Sequence, residues 1–129
     1  MTTFKSFEDI EAWQKSREFI KEIYILHKIN LQNDIILHNQ LMRAAISISS
    51  NIAEGFERGG KNEFIQFLSI AKGSAGEARS QLYIAYDQQY INTDTFQRLI
   101  EIITEIYRMI SGLIPYLQKT EHKGIKYIK

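Results

Sequence analysis

The sequence predicts an all-α protein, an antiparallel up-down-up-down four-helix bundle. Three observations carry that expectation. Four long segments repeat their apolar residues at helical spacing, and none alternates with the period of a strand. One proline and seven glycines punctuate 129 residues, too few for an all-β chain of many turns. The stretches between the periodic segments are short, which favours neighbouring helices in a bundle.

The first helix is expected to start after Ser6. Ser6 can cap it, and Asp9 stands three residues on in a capping-box arrangement. Ile10, Trp13, Ile20, Ile23, Tyr24 and His27 form its expected apolar face, and Glu8, Glu11, Lys15, Glu18 and Glu22 its solvated stripe. Residues 28–33 read as a polar loop. The second helix is expected over about 34–57. Its apolar face is Leu41, Ala44, Ala45, Ile48, Ile52 and Phe56, and the glycines after Arg58 stop it. The third runs over about 61–88 on Phe64, Phe67, Leu68, Ala71, Ala75, Ala78, Leu82 and Ala85. Gly73 and Gly76 lie in mid-helix, where each costs about 1 kcal/mol relative to alanine. They mark either a local break or, the favoured reading, close approach by another helix.

The fourth helix is expected to start near Asn92 or Thr93, both good caps. Phe96, Leu99, Ile103, Ile106, Ile110, Leu113 and Leu117 alternate spacings of three and four, a heptad seam. Further apolar stripes, Ile100, Tyr107 and Ile114, and Ile102, Met109 and Tyr116, flank the seam. So much apolar surface implies a central helix or one buried against another subunit. Ile102, Tyr107, Met109, Ile114 and Tyr116 are the candidate interface residues. Pro115 lacks the N–H that would bond Ser111, so a kink or an end is expected nearby.

One domain is expected over 1–129, with a core of about 4–118 and a basic tail, 119–129, of four lysines and one glutamate. The tail is expected to be mobile in the free protein. At 44% hydrophobic and 24% charged residues the composition is that of a globular protein, which excludes disorder. The absence of cysteine excludes disulfides, zinc fingers and thiol nucleophiles. No apolar run approaches the ~20 residues needed to span a bilayer. The N-terminus lacks the apolar stretch of a signal peptide, so a cytoplasmic protein with no membrane partner is expected. The net charge of +1 divides into −1 over residues 1–60 and +2 over 61–129, which alone does not mark a nucleic-acid-binding domain.

Catalytic chemistry finds little support. His27, His38 and His122 are the only histidines, and none stands three residues after a glutamate as in a carboxylate-bridged di-iron bundle. No metal or other cofactor is expected. His27 reads as a hydrogen-bonded histidine at a helix end, and His38 and His122 as exposed. Ser47, Ser49 and Ser50 have no histidine within a turn or two to activate them. No phosphate-loop pattern is present. The densest polar constellation joins Arg43, Asn51, Glu54 and Arg58 of the second helix to Lys72, Gly73, Ser74, Glu77 and Arg79 of the third. Glu54 and Arg58 suit an i,i+4 ion pair, and Glu77 is placed to reach Arg43 across the helix pair. A structural network at a helix or subunit interface and a ligand or nucleic-acid contact site both remain open.

The run Gln40-Leu41-Met42-Arg43-Ala44-Ala45, followed by Ser49-Ser50-Asn51-Ile52-Ala53-Glu54-Gly55, resembles the central motif of a bacterial four-helix-bundle family. Its members are encoded in intervening sequences of 23S ribosomal RNA genes or free-standing elsewhere. The resemblance continues through Glu63-Phe64-Ile65-Gln66-Phe67-Leu68, Ile70-Ala71-Lys72-Gly73-Ser74 and Glu77, and includes the opening Phe7 to Lys15 and Tyr24. It covers about residues 4–117. Met42 stands where a second basic residue is common, and the loop after the first helix lacks the usual proline. The resemblance implies a non-enzymatic bundle in a ring of five subunits, with nucleic-acid or ribosomal association. A similar bundle is the accessory variability protein of diversity-generating retroelements, which partners a reverse transcriptase.

Two functions are therefore expected. The first is a homo-oligomer binding structured RNA or a ribonucleoprotein through Arg58, Lys61, Lys72, Arg79, Lys119, Lys123, Lys126 and Lys129. The second is a protein-interaction adaptor such as a reverse-transcriptase accessory subunit. An enzyme is the remaining alternative, one that a bound metal or a deep pocket lined by Glu54, Glu77 and histidine would revive.

Overall fold

A computed structural model describes residues 4–120. The expected basic tail lies outside the described residues beyond Thr120. A 3-10 turn at Phe7–Asp9 precedes four helices: α1 Glu11–Ile29, α2 Ile35–Glu57, α3 Lys61–Asp87 and α4 Thr93–Lys119. Each helix packs on its chain neighbours, and α1 also packs on α4, so the four enclose one core. Phe19, Phe56 and Phe64 are its largest fully buried side chains. Burying each contributes roughly 1.5–3 kcal/mol.

The first helix departs from expectation at its start and in its orientation. Ser6 opens the 3-10 turn, and the Asp9 carboxylate accepts the backbone N–H groups of Lys5 and Ser6 at 2.8 and 3.3 Å. Ile10 is extended and buried, and α1 begins only after it. The chain turns there because Ile10 must enter the core and Phe7 packs edge-on against Trp13, ring centres 5.0 Å apart. The buried face of α1 is Ala12, Ser16, Phe19, Ile23 and Leu26. Of the expected face only Ile10 and Ile23 are fully inside. Trp13, Ile20 and His27 are half-buried, and Tyr24 is 49% exposed. The expected stripe is the flank of α1 that turns toward α2, about one residue position around from the true core line.

His27 and His38 correct a second expectation. Both are half-buried, and their rings stack with centroids 3.5 Å apart. Neither Nδ1 has a hydrogen-bond partner. Burial, then repulsion from His27, holds His38 below the usual histidine range. His122 lies outside the described residues.

The turns are built by side chains. Asp34 caps α2 by accepting the Leu37 N–H at 3.0 Å, and Asn92 caps α4 by accepting the Thr95 N–H at 2.8 Å. The Tyr90 hydroxyl donates to Asp34 Oδ2 at 2.9 Å, and Asn30 Nδ2 donates to the Tyr90 carbonyl at 2.6 Å. The turns 30–34 and 88–92 are thereby clasped together. Gly59, with φ +83°, makes the tight α2–α3 turn.

Two glycine sites behave oppositely. A Cβ on Gly55 would lie 2.5 Å from Phe67 Cβ, so α2 and α3 touch there at nearly backbone distance. At Gly73 and Gly76 an added Cβ would meet nothing within 4 Å. The helix runs unbroken through both, so no break occurs, and the close approach expected there is not made among the described residues. α4 also runs on through Pro115 to Lys119. Leu117, fully buried, holds the last turn against the lost hydrogen bond.

Gly55→Ala should destabilise the fold by about 1–3 kcal/mol, because the Phe67 Cβ cannot retreat without moving its helix. Gly73→Ala in the isolated chain should stabilise it by up to about 1 kcal/mol. Urea titrations of the two variants check both signs. His38 favours its neutral form in the folded state, so its contribution is complete above about pH 6.5 and shrinks as pH falls below that value. Melting curves from pH 7.5 to 5 should show the midpoint falling, with a shallower fall in His38→Gln.

Candidate functional site

The candidate residues on α3 fall on two of its flanks. Positions 63, 67, 70, 74 and 77 recur at helical spacing and face α2, whereas 61, 65, 72, 79, 83 and 86 recur along the flank toward α4. Contacts on each side follow this division.

On the α2 side a polar chain links the helices. Arg43 Nη2 donates to Glu77 Oε2 at 3.0 Å and to Gln40 Oε1 at 2.7 Å. The expected Arg43–Glu77 reach is therefore made. Asn51 Nδ2 donates to the Ser47 carbonyl at 2.8 Å and to Ser47 Oγ at 2.9 Å. The Ser47 and Ser74 hydroxyls lie 2.9 Å apart. Asn51, Ser47 and Ser74 are thus joined in one hydrogen-bonded chain, in which either hydroxyl can donate the last bond. Glu54 pairs with Arg58 at 2.9 Å, and Arg58 also reaches Glu63 at 3.7 Å. The Arg58 guanidinium lies 5.2 Å over the Phe67 ring. Arg43, Asn51, Glu54, Ser74 and Glu77 thus share one seam. The ion pairs on it are largely exposed, so each contributes about 0–1 kcal/mol. Gly73 lies beside the seam, exposed, with Ile70 52% exposed three residues earlier.

On the α4 side the candidate cations align. Lys61, Lys72 and Arg79 stand on the same flank, 11 and 7 residues apart, which is ~16 and ~10 Å of helix rise. Lys72 Nζ lies 5.2 Å from the Tyr107 ring centre. Lys61 Nζ donates to the Thr120 carbonyl at 2.7 Å, tying α3 to the end of α4. Tyr83 packs edge-on to Phe96, which also stacks on Tyr86, ring centres 5.0 and 4.4 Å apart. Tyr83 and Tyr107 keep 46% and 39% of their surface exposed.

The structure therefore divides the constellation read from the sequence. Lys72 and Arg79 do not join the Arg43–Glu77 seam, and Arg58, held by two carboxylates, does not join the Lys61–Arg79 row. Lys119 is exposed at the end of α4, and Lys123, Lys126 and Lys129 lie outside the described residues. Ile102, Met109, Ile114 and Tyr116 are half-buried and packed on the chain's own core, while Tyr107 remains open beneath Lys72. Much of the surplus apolar surface of α4 is thus used within the chain. Sequence reasoning missed four outward isoleucines: Ile25 and Ile29 near the end of α1, and Ile35 and Ile36 at the start of α2. For Ile25 and Ile29 the signal was their offset from Phe19, Ile23 and Leu26, masked by the choice of the wrong α1 face, and for Ile35 and Ile36 it was their offset from the buried line through Leu37 and Leu41.

Among the described residues no group of three or more histidine, aspartate or glutamate side chains is placed to hold a metal ion. No helix among them is long and apolar enough to cross a membrane.

Fold and seam together define a four-helix bundle of the kind anticipated from the Asn-Ile-Ala-Glu-Gly and Gly-Ser-x-x-Glu motifs. The 23S rRNA-intervening sequence protein model matches residues 8–112, and the chain belongs to that family. A solved structure from Bacteroides thetaiotaomicron, described as a protein of unknown function from the S23 ribosomal protein family, is similar at 28% identity and a TM-score of 0.76. That similarity covers 84% of this chain and 99% of the other. No curated protein matches it.

Proposed function

We propose that this chain is a non-enzymatic, cytoplasmic bundle that assembles into a homo-oligomeric ring and binds structured RNA or a ribonucleoprotein. The observation that carries the RNA reading is the row Lys61, Lys72 and Arg79, with Tyr83 and Tyr107 open beside it. Cations at that spacing attract phosphates, and exposed aromatic faces can stack on unpaired bases. A subunit of net charge +1 has a weak field alone. A ring repeats the row, and avidity multiplies modest contacts.

The resemblance to the family supports the ring, and five subunits is the number it implies. The open space over Gly73, beside Ile70, supports a close helix approach from a neighbouring subunit. The antiparallel up-down-up-down arrangement belongs to the same reading. Its support is that Lys15 pairs with Glu105 and Glu22 with Arg98, so partners on α1 and α4 run in opposite chain order.

The outward Ile25, Ile29, Ile35 and Ile36 favour a second reading, an adaptor that docks a protein such as a reverse transcriptase. Exposed apolar groups bracketing one turn suit a protein partner better than a polyanion.

In titrations of the protein against structured ribosomal RNA, a length-matched random RNA and duplex DNA, the ribosomal RNA should bind tightest. Affinity should fall steeply with salt. Lys72→Glu combined with Arg79→Glu should weaken binding at least about tenfold near physiological salt and flatten the salt dependence. Salt-independent affinity would sink the phosphate mechanism, and no binding at all moves the weight to the adaptor. Light scattering should give about five times the 15.1 kDa chain mass, and Gly73→Leu should reduce it toward one while helicity is retained.

A further inference from the structure

His27 and His38 stand apart from both flanks of α3, where α1 ends and α2 begins. His27 is in the last turn of α1 and His38 in the first turn of α2, so their rings meet across the turn at 30–34. The ring centroids are 3.5 Å apart and the planes lie within 23° of parallel. Both Nδ1 atoms are buried, and neither has a hydrogen-bond partner among the described residues. Buried polar atoms are almost always partnered, so two orphans in one ring stack ask for a common partner.

That partner must meet two lone pairs. Protons on both rings would set two imidazolium charges face to face, which burial and mutual repulsion oppose. His38 is accordingly held below the usual histidine range, chiefly by burial and then by His27. Asp34, one turn before His38, is an acceptor and is already spent on the Leu37 N–H and the Tyr90 hydroxyl. A divalent transition-metal ion takes both lone pairs at once, and the neutral imidazole is the form that binds it. Imidazole suits Zn²⁺, Ni²⁺ and Cu²⁺, whereas Mg²⁺ takes oxygen ligands. A tetrahedral ion with bonds of about 2.0–2.1 Å holds two nitrogens about 3.3 Å apart. The ring separation is close to that value, so a modest turn of each ring out of the stack presents its Nδ1 to a shared ion. Both side chains are half-buried, which leaves the other coordination positions to water.

We propose that His27 and His38 bind one divalent transition-metal ion through their Nδ1 atoms, with water completing the coordination. The ion staples α1 to α2 across their turn, beside the Asn30–Tyr90–Asp34 clasp. This inference does not depend on RNA binding.

His122→Gln removes the third histidine and serves as the background for the test in the full chain. Calorimetric titration of that protein with Ni²⁺ at about pH 7.5, where imidazole is neutral, should give one ion per chain, and Mg²⁺ should give none. His27→Gln and His38→Gln, which keep a polar side chain of similar length, should each weaken Ni²⁺ binding at least about tenfold. Loss in one variant alone would mean a single surface histidine, and unchanged affinity in both would mean another site. No binding in the background would leave water as the bridge between the rings. Each of these results overturns the proposal. A readout that leaves the pair intact covers the case of a misfolded variant. Substoichiometric Cu²⁺ should broaden the imidazole proton resonances of His27 and His38 together, and broadening of one or of neither overturns the shared site. Because unfolding separates the rings, saturating Ni²⁺ should also raise the melting midpoint by several degrees, and an unchanged midpoint overturns the staple.

Discussion

The contact at Gly55 sets the spacing on which the α2–α3 half of the bundle depends. A hydrogen on Cα, where any other residue carries a side chain, lets Phe67 Cβ sit against the α2 backbone. Short side chains can then bridge the two helices. Ser47 and Ser74 meet at 2.9 Å with no longer group between them, and Arg43 reaches Glu77 close by. A pair of helices held apart by larger residues could join only through long, flexible side chains, at a greater entropy cost. The glycine therefore determines both the packing of Phe64 beneath it and the geometry of the polar seam above it.

α3 gains two characters from this arrangement. Its α2 side is closed by hydrogen bonds and paired charges, so its ions are largely neutralised where they stand. Its α4 side keeps Lys72 and Arg79 free of carboxylate partners among the contacts described, and uses Tyr107 to hold the Lys72 ammonium. A cation resting on an aromatic face keeps its charge and its outward field, whereas one in a carboxylate pair is largely cancelled. For a polyanion, these two rows of similar composition are very different surfaces.

Much of this was legible in the chain. The α2, α3 and α4 core lines follow 3.6-residue spacing, and Asp34 and Asn92 cap where capping chemistry requires. Glu54–Arg58 and Arg43–Glu77 were also readable, the first from local spacing and the second from the polar constellation shared by the two helices. α1 was misread because two apolar lines, one through Phe19 and Leu26 and one through Trp13 and Ile20, compete on one helix. Periodicity cannot rank them without knowing where α2 lies. The His27–His38 stack and the Gly55–Phe67 contact were hidden for a related reason: each joins residues on different helices, and pattern along one helix says nothing of the partner's register. α4 ends four residues past Pro115, near where an end was expected, and buried Leu117 holds that last turn.

The clasp of Asn30, Tyr90 and Asp34 gives the bundle a fastened end. Its bonds join residues 56 to 60 positions apart, binding the α1–α2 hairpin to the α3–α4 hairpin at one pole. The α2–α3 turn lies at the other pole, and near it the Arg58–Glu63 pair and the Gly55–Phe67 contact join the same two hairpins. The two hairpins are therefore fastened at both poles, by the tyrosine at one and by the covalent turn with its glycine contact at the other. Sliding of one hairpin along the other would have to break contacts at both ends, which fixes the register of the core.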